Sequence, residues 1–201
     1  MSRKSAEQRR AEALDAARRI ILREGIAQVS VRKVAEEAGM STGSLRHIFP
    51  LHDDLFVALL DDGADHAQPR VTAIIEQGFA AGRAPVDVAV DALIEIVPTR
   101  DDTRLEALSQ LAVLSAHSGN ADVVSSRRRA GEGLDRLCEA LGQWSTRPAD
   151  FDAVELRLIL DGLVLRLLER PDTDEERVRD LLRGVLLRMG LPGSAHSQLR
   201  P

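Results

Sequence analysis

Apolar residues in the first fifty positions recur at intervals of three and four rather than two, in three short blocks. Between positions 5 and 24, Ala13, Leu14, Ala17, Ile20 and Ile21 form one stripe, and Gly25 follows it. That spacing predicts an amphipathic helix closed by glycine. Val31, Val34, Ala35 and Ala38 repeat after Ser30, whose hydroxyl suits an N-cap. Gly39 can take a positive φ and end this helix. Ser41 opens a third block, in which Leu45, Ile48 and Phe49 form the inward edge, and Pro50 stops it. Two short helices joined by about three residues that include glycine read as a helix-turn-helix. An ordinary helical hairpin with a polar outside would have the same spacing.

The helical period continues to the C-terminus, with no strand-like alternation and no internal repeat. A helix is predicted over 51–66, with Asp53 and Asp54 in its first turn and Pro69 ending it. Others follow over 71–81, 85–97 and 101–117, and Ser118, Gly119 and Asn120 break the last of these. Residues 121–144 carry one stripe, Ala130, Leu134, Leu137, Leu141 and Trp144, with Trp144 expected to be structural packing. Residues 150–169 are apolar nearly all round, so that helix needs cover on more than one side, most simply from its own core and from a partner subunit. A last helix is predicted over 174–189. The fold class is therefore all-α, with an N-terminal three-helix bundle over 1–50, a helical body over 51–190 and a flexible tail over 191–201.

Composition narrows the class. Apolar residues make up 44% of the 201 and charged residues 29%, while aromatics are only 2% with no Tyr, so the core must be aliphatic. No run of 18 apolar residues exists, no secretory signal is visible, and Cys138 is the only cysteine, so a cytoplasmic protein without membrane partners or disulfides is expected. The net charge of −5 looks wrong for a nucleic-acid binder, but its distribution does not: residues 1–50 carry +4 and residues 51–201 carry −9. Attraction for phosphates is thus concentrated at one end, where Arg3 and Lys4 form a short basic arm. Arg9, Arg10, Arg18, Arg19 and Arg23 of the first helix read mainly as a solvated face.

On the outer face of the third block stand Thr42, Gly43, Ser44, Arg46 and His47. Small, hydroxylic and cationic residues are what a helix entering a major groove requires, for close approach and for contact with phosphates and base edges. Ser30, Arg32, Ser41 and His52 are the candidate backbone contacts, and of Arg46 and His47 one can read a base edge while the other takes a phosphate. Candidate ligand-orienting residues in the middle helices are His66, Arg104, Glu106, Gln110, Ser115 and His117, each of which is also compatible with an ordinary surface or hydrogen-bonded role. Arg127, Arg128 and Arg129 read as a solvated charge run. The histidines at 47, 52, 66, 117 and 196 have no metal-ligand spacing, and no phosphate loop, nucleophile elbow or zinc signature is present. No metal, cofactor or catalytic residue is expected, and the chain does not read as an enzyme.

The N-terminal residues resemble the DNA-binding domain of the tetracycline-repressor (TetR) family of bacterial regulators. Leu14, Ala17 and Gly25 match, as do the run from Val31 to Ser41, Gly43, Ser44, Leu45, Phe49 and Leu55. Asp161, Gly162 and Leu163, with Arg170 and Pro171, resemble one C-terminal subtype. The sequence departs from the family at Arg46 and His52, where Tyr and Lys often contact phosphates. The resemblance implies a homodimer whose interface is a four-helix arrangement of 121–144 and 150–169 from each subunit, and a small-molecule pocket in the body. The expected function is a ligand-responsive transcriptional regulator. It would bind a near-palindromic double-stranded operator as a dimer, repress, and be released by a small apolar effector. A helical ligand-binding or scaffold dimer with a vestigial DNA-binding unit is the alternative, which the absent Tyr and Lys keep open.

Overall fold

The computed structural model describes residues 5–116 and 121–194, and the regular elements among these are all helical, with no strand. Among the described residues nine α-helices follow in order: α1 (Ala6–Glu24), α2 (Val31–Glu37), α3 (Thr42–Ile48), α4 (His52–Ala80), α5 (Pro85–Ile94), α6 (Asp101–Ala116), α7 (Ala121–Gly142), α8 (Ala153–Glu169) and α9 (Glu175–Arg188). Short 3-10 turns over Ile26–Gln28 and Pro148–Asp150 join α1 to α2 and α7 to α8. Two compact units result. One comprises the chain up to Gly63 with Leu105–Arg129, and the other comprises Ala64–Arg104 with the residues from Ala130 onward.

In the first unit the local signals in the sequence act as expected. Ser5 and Gln8 form a capping box at the start of α1, and the Gly25 amide donates to the Ile21 carbonyl at its end. Ser30 caps α2, and α2 closes in a Schellman motif, with Met40 N–H on the Ala35 carbonyl (2.8 Å) and Gly39 N–H on that of Glu36 (3.1 Å). Ala13, Leu14, Ala17, Ile20, Val34, Leu45 and Phe49 are all buried in one core. Leu55, Phe56, Leu59 and Leu60 of α4 close that core, and Leu105 of α6 enters it too. Ile48 is half-buried at its edge.

The second unit has its own core, in which Val86, Leu93 and Ile94 of α5 meet Leu141 of α7, Leu156 and Leu160 of α8 and Leu182 and Leu186 of α9. Charged residues lace α5 to α9 at the rim: Arg179 and Arg83 both bond Asp91, and Arg183 bonds Asp87. Burial pushes the Asp91 carboxyl up, but the hydrogen bonds from Arg179 and Arg83 outweigh it and hold the group below its ordinary range. Trp144 packs edge-to-face on Phe79, with ring centroids 4.7 Å apart, which is the structural role expected of it.

Several expected boundaries are corrected. Pro69 does not end a helix; it lies inside the 29-residue α4, so the expected helices over 51–66 and 71–81 are one. An internal proline forfeits one backbone bond. Core packing on both of its flanks, Leu59 and Leu60 before it and Phe79 after it, offsets that local loss, while Pro69 itself is exposed. The helix over 121–144 ends at Gly142, and the one over 150–169 begins at Ala153 because Asp152 caps it, accepting from the Val154 and Glu155 amides. The expected tail starts with packed residues: Leu191 is buried, and the Pro192 carbonyl accepts from the Val86 amide. The basic arm at Arg3 and Lys4, the break at 118–120 and residues 195–201 lie outside the described residues.

Candidate nucleic-acid interface

Seven residues make up α3, and its inward direction is fixed by Leu45, which has no exposed surface. At 100° per residue, Gly43 and His47 then point directly outward, Thr42 and Arg46 flank one side, and Ser44 flanks the other. The burial pattern agrees: Thr42, Gly43, Arg46 and His47 are exposed and Ser44 is half-buried. A side chain's worth of space is open at Gly43, where an added Cβ would meet nothing nearer than Ser41 Oγ at 4.0 Å. The middle of this face is therefore low enough for a base edge or sugar to approach the backbone.

Two of the candidate serines cap helices. Ser41 Oγ accepts from the Ser44 amide (3.1 Å) and caps α3, and Ser30 Oγ accepts from the Lys33 amide (3.3 Å) and caps α2. Each hydroxyl proton remains available to donate to a phosphate. After Phe49, the Leu51 amide donates to Asp54 Oδ2 (2.8 Å), which fixes the start of α4. The His52 side chain lies outside the described residues.

Ion pairs sort the basic residues of this unit into two sets. Arg18 bonds Asp15 on its own helix and Asp62 on α4; Arg19 and Arg23 share Glu37 on α2; Lys33 and Arg23 share Glu24. Hydrogen bonds from Arg23 and then Arg19 hold the Glu37 carboxyl below its ordinary range, and those from Lys33 and then Arg23 do the same for Glu24. Arg32, Arg46 and His47 make no hydrogen bond or ion pair among the described residues and keep their polar groups for a partner. Arg10 of α1 stands over the Phe49 ring, 5.1 Å from its centroid. The solvated face expected of the α1 arginines carries these pairs, whose partners Glu37 and Asp62 are remote along the chain. A signal for Arg10 was present: it precedes the buried Ala13 and Leu14 by three and four residues, which places it on the core side of α1.

Of the ligand candidates, Arg104, Glu106 and Gln110 follow one another along α6. Arg104, in the second unit, donates to the Pro171 carbonyl (3.2 Å). Gln110 is exposed in the first unit, and Glu106 lies against Gly63 there. The side chains of His66 and Ser115, and His117 as a whole, lie outside the described residues. Two clefts in the second unit, of ≈ 280 and ≈ 250 Å³, are lined by Gln77, Gly78, Arg83 and Asp91 and by the charged α5 and α9 rim, and Arg104 lines neither. No group of acidic, His and Cys side chains suited to a metal ion occurs among the described residues, and no described helix is long and apolar enough to cross a membrane.

Comparison with known proteins agrees with this geometry. Residues 13–59, which span the helix-turn-helix and the start of α4, match the model of the bacterial regulatory proteins of the tetR family. The HTH-type transcriptional repressor AcnR of Corynebacterium diphtheriae is 31% identical over 187 residues, covering 87% of this chain and 89% of AcnR. The HTH-type transcriptional regulator PksA of Bacillus subtilis is 27% identical over 185 residues, covering 88% and 87%. The multidrug binding protein EbrR, in a crystal structure with malachite green, superposes with a TM-score of 0.66 at 30% identity, covering 90% of this chain and 98% of that one. With an exposed recognition helix on a buried three-helix core, and similarity along nearly its whole length, this chain belongs to the tetR family of bacterial regulatory proteins and is a DNA-binding transcriptional regulator.

Proposed function

We propose that this protein is a ligand-responsive repressor that binds a near-palindromic operator as a homodimer and releases it when a small apolar molecule binds the body. The observation that carries this reading is the outward face of α3, where Gly43 and His47 project opposite the buried Leu45, with Thr42 and Arg46 on their flank and no internal partner for Arg46 or His47 among the described residues. In this reading the DNA-binding part is residues 1–50, Thr42, Ser44, Arg46 and His47 meet the groove, and Ser30, Arg32, Ser41 and His52 hold the duplex backbone. The body, 51–190, carries the dimer interface on α7 and α8. Val154, Leu158 and Leu165 of α8 are 68%, 66% and 51% exposed, which leaves an apolar stripe on a helix whose other side is in the core. A twofold arrangement would space two recognition helices by one duplex turn, about 34–36 Å, or more. AcnR is named a repressor and EbrR a multidrug binding protein, which supports repression and a small-molecule effector. An effector acts by binding better to an arrangement with the wrong helix spacing than to the DNA-bound one. No catalytic step or cofactor enters this reading, and its place of action is the cytoplasm.

A fluorescence-anisotropy titration tests it, with duplex from the region upstream of the protein's own gene set against scrambled duplex at matched salt. Saturable preference for the upstream duplex is the expected result. Equal, salt-sensitive binding to both would move the operator elsewhere, and binding to neither by a folded dimer would sink the reading.

A further inference from the structure

The division of cations in the first unit leaves Arg9 and Arg10 of α1 outside the contact set above; Arg9 is half-buried with its Nε enclosed, and Arg10 is the exposed one. Arg18, Arg19, Arg23 and Lys33 are each neutralised by a carboxylate. Arg10 is exposed and makes no ion pair or hydrogen bond among the described residues, yet it is not adrift. Its guanidinium carbon lies 5.1 Å from the centroid of the Phe49 ring. That ring is itself fixed, 1% exposed in the core, and the Phe49 amide donates to the Leu45 carbonyl (2.8 Å) to close α3. An uncompensated positive charge is thus seated at the C-terminal end of the recognition helix by a residue of that helix's own cap.

We infer that Arg10 grips a phosphate of the DNA backbone beside the groove that α3 enters. The inference rests on the DNA-binding reading and adds a contact from α1 to it. Stacking on an aromatic ring uses the face of a guanidinium and leaves its N–H edge free, and that edge matches two phosphate oxygens. Seating on a buried ring also restricts the long side chain before the duplex arrives, so less freedom is lost on binding. A phosphate contact carries no sequence information, so Arg10 contributes equally on any duplex.

The test is a salt titration of the full-length protein against two duplexes, one selected from a randomised pool and one scrambled. Wild type, Arg10→Ala, Arg10→Lys and Arg19→Ala are compared, with the thermal unfolding of each recorded. Arg10→Ala is expected to weaken binding to both duplexes by the same factor and to lower the slope of log K against log salt by about 1.8 for a dimer, at about 0.9 per lost phosphate contact. Arg10→Lys keeps the charge and should restore the slope, and Arg19→Ala, whose guanidinium is already paired, should leave it unchanged. A wild-type slope in a folded Arg10→Ala overturns the inference, as does a loss confined to the selected duplex. If Arg10→Ala unfolds, Arg10→Gln takes its place, and a wild-type slope in that folded variant overturns the inference. Failure of the wild type to bind any duplex would overturn the DNA-binding reading first and this inference with it.

Discussion

Replacing Gly39 by alanine isolates a backbone cost at the turn of the helix-turn-helix. Gly39 has φ +66°, and its two Schellman hydrogen bonds place it in the left-handed helical region. An added Cβ would meet no heavy atom within 4 Å, so packing contributes nothing to the effect. What remains is the clash of Cβ with its own backbone, about 1–2 kcal/mol, offset by the reduced freedom of the unfolded chain, about 0.4–1 kcal/mol. Gly39→Ala should therefore destabilise by up to about 1.6 kcal/mol, with about 0.8 kcal/mol at the middle of both ranges. Asparagine tolerates the left-handed region, so Gly39→Asn should recover a large part of that loss. Gly25 provides the contrast. It also has open space around it, but φ is +85° and ψ 160°, a region that is essentially glycine's alone. Gly25→Ala and Gly25→Asn should both cost about 1–3 kcal/mol, with no rescue by asparagine. The assay is urea unfolding followed by circular dichroism at one fixed protomer concentration, since dimerisation would otherwise shift the midpoint. Equal destabilisation of Gly39→Ala and Gly39→Asn, or rescue by asparagine at both sites, would refute the reasoning.

Four further outcomes are expected. Arg46→Ala should lose most operator affinity in an anisotropy titration and keep the dimer intact by light scattering, because Arg46 is exposed and has no internal partner among the described residues. Leu158→Glu should convert the dimer to monomer in sedimentation while leaving the protomer helical, since Leu158 is 66% exposed on α8 and a charge there costs the protomer's core nothing. Burial pushes the Cys138 thiol up to about 11, with Arg157 pulling weakly the other way. The folded state then keeps its proton where the unfolded chain has lost it. The stabilisation is complete below the unfolded value near 9 and fades as pH rises towards 11, so unfolding midpoints should fall across that window and Cys138→Ala should flatten the fall. A neutral-pH thiol reagent should also leave native Cys138 untouched, because the residue has no exposed surface.

The sequence by itself determined what depends on neighbours within a turn or two. Ser5, Ser30 and Ser41 cap their helices, Gly25 and Gly39 end theirs, and the stripe from Ala13 to Ile21 and Leu45 with Phe49 turn inward, since each preference is decided by bonds and faces spanning three to five residues. The same reach placed Gly43, Arg46 and His47 on the outer face. Tertiary structure decided what depends on residues far apart in the chain. Pro69 stays inside α4 because core contacts on both flanks outweigh a single missing backbone bond. Of the equally charged arginines of α1, Arg18 and Arg19 are neutralised by Asp62 and Glu37, while Arg10 is left over the Phe49 ring. On α8, where apolar residues lie nearly all round the helix, periodicity could not choose a face. The packing of α5, α7 and α9 buries Leu156, Leu160 and Leu167 and leaves Val154, Leu158 and Leu165 outside. Local propensity acts through a chain segment's own backbone, whereas burial and charge pairing are settled only when distant segments meet.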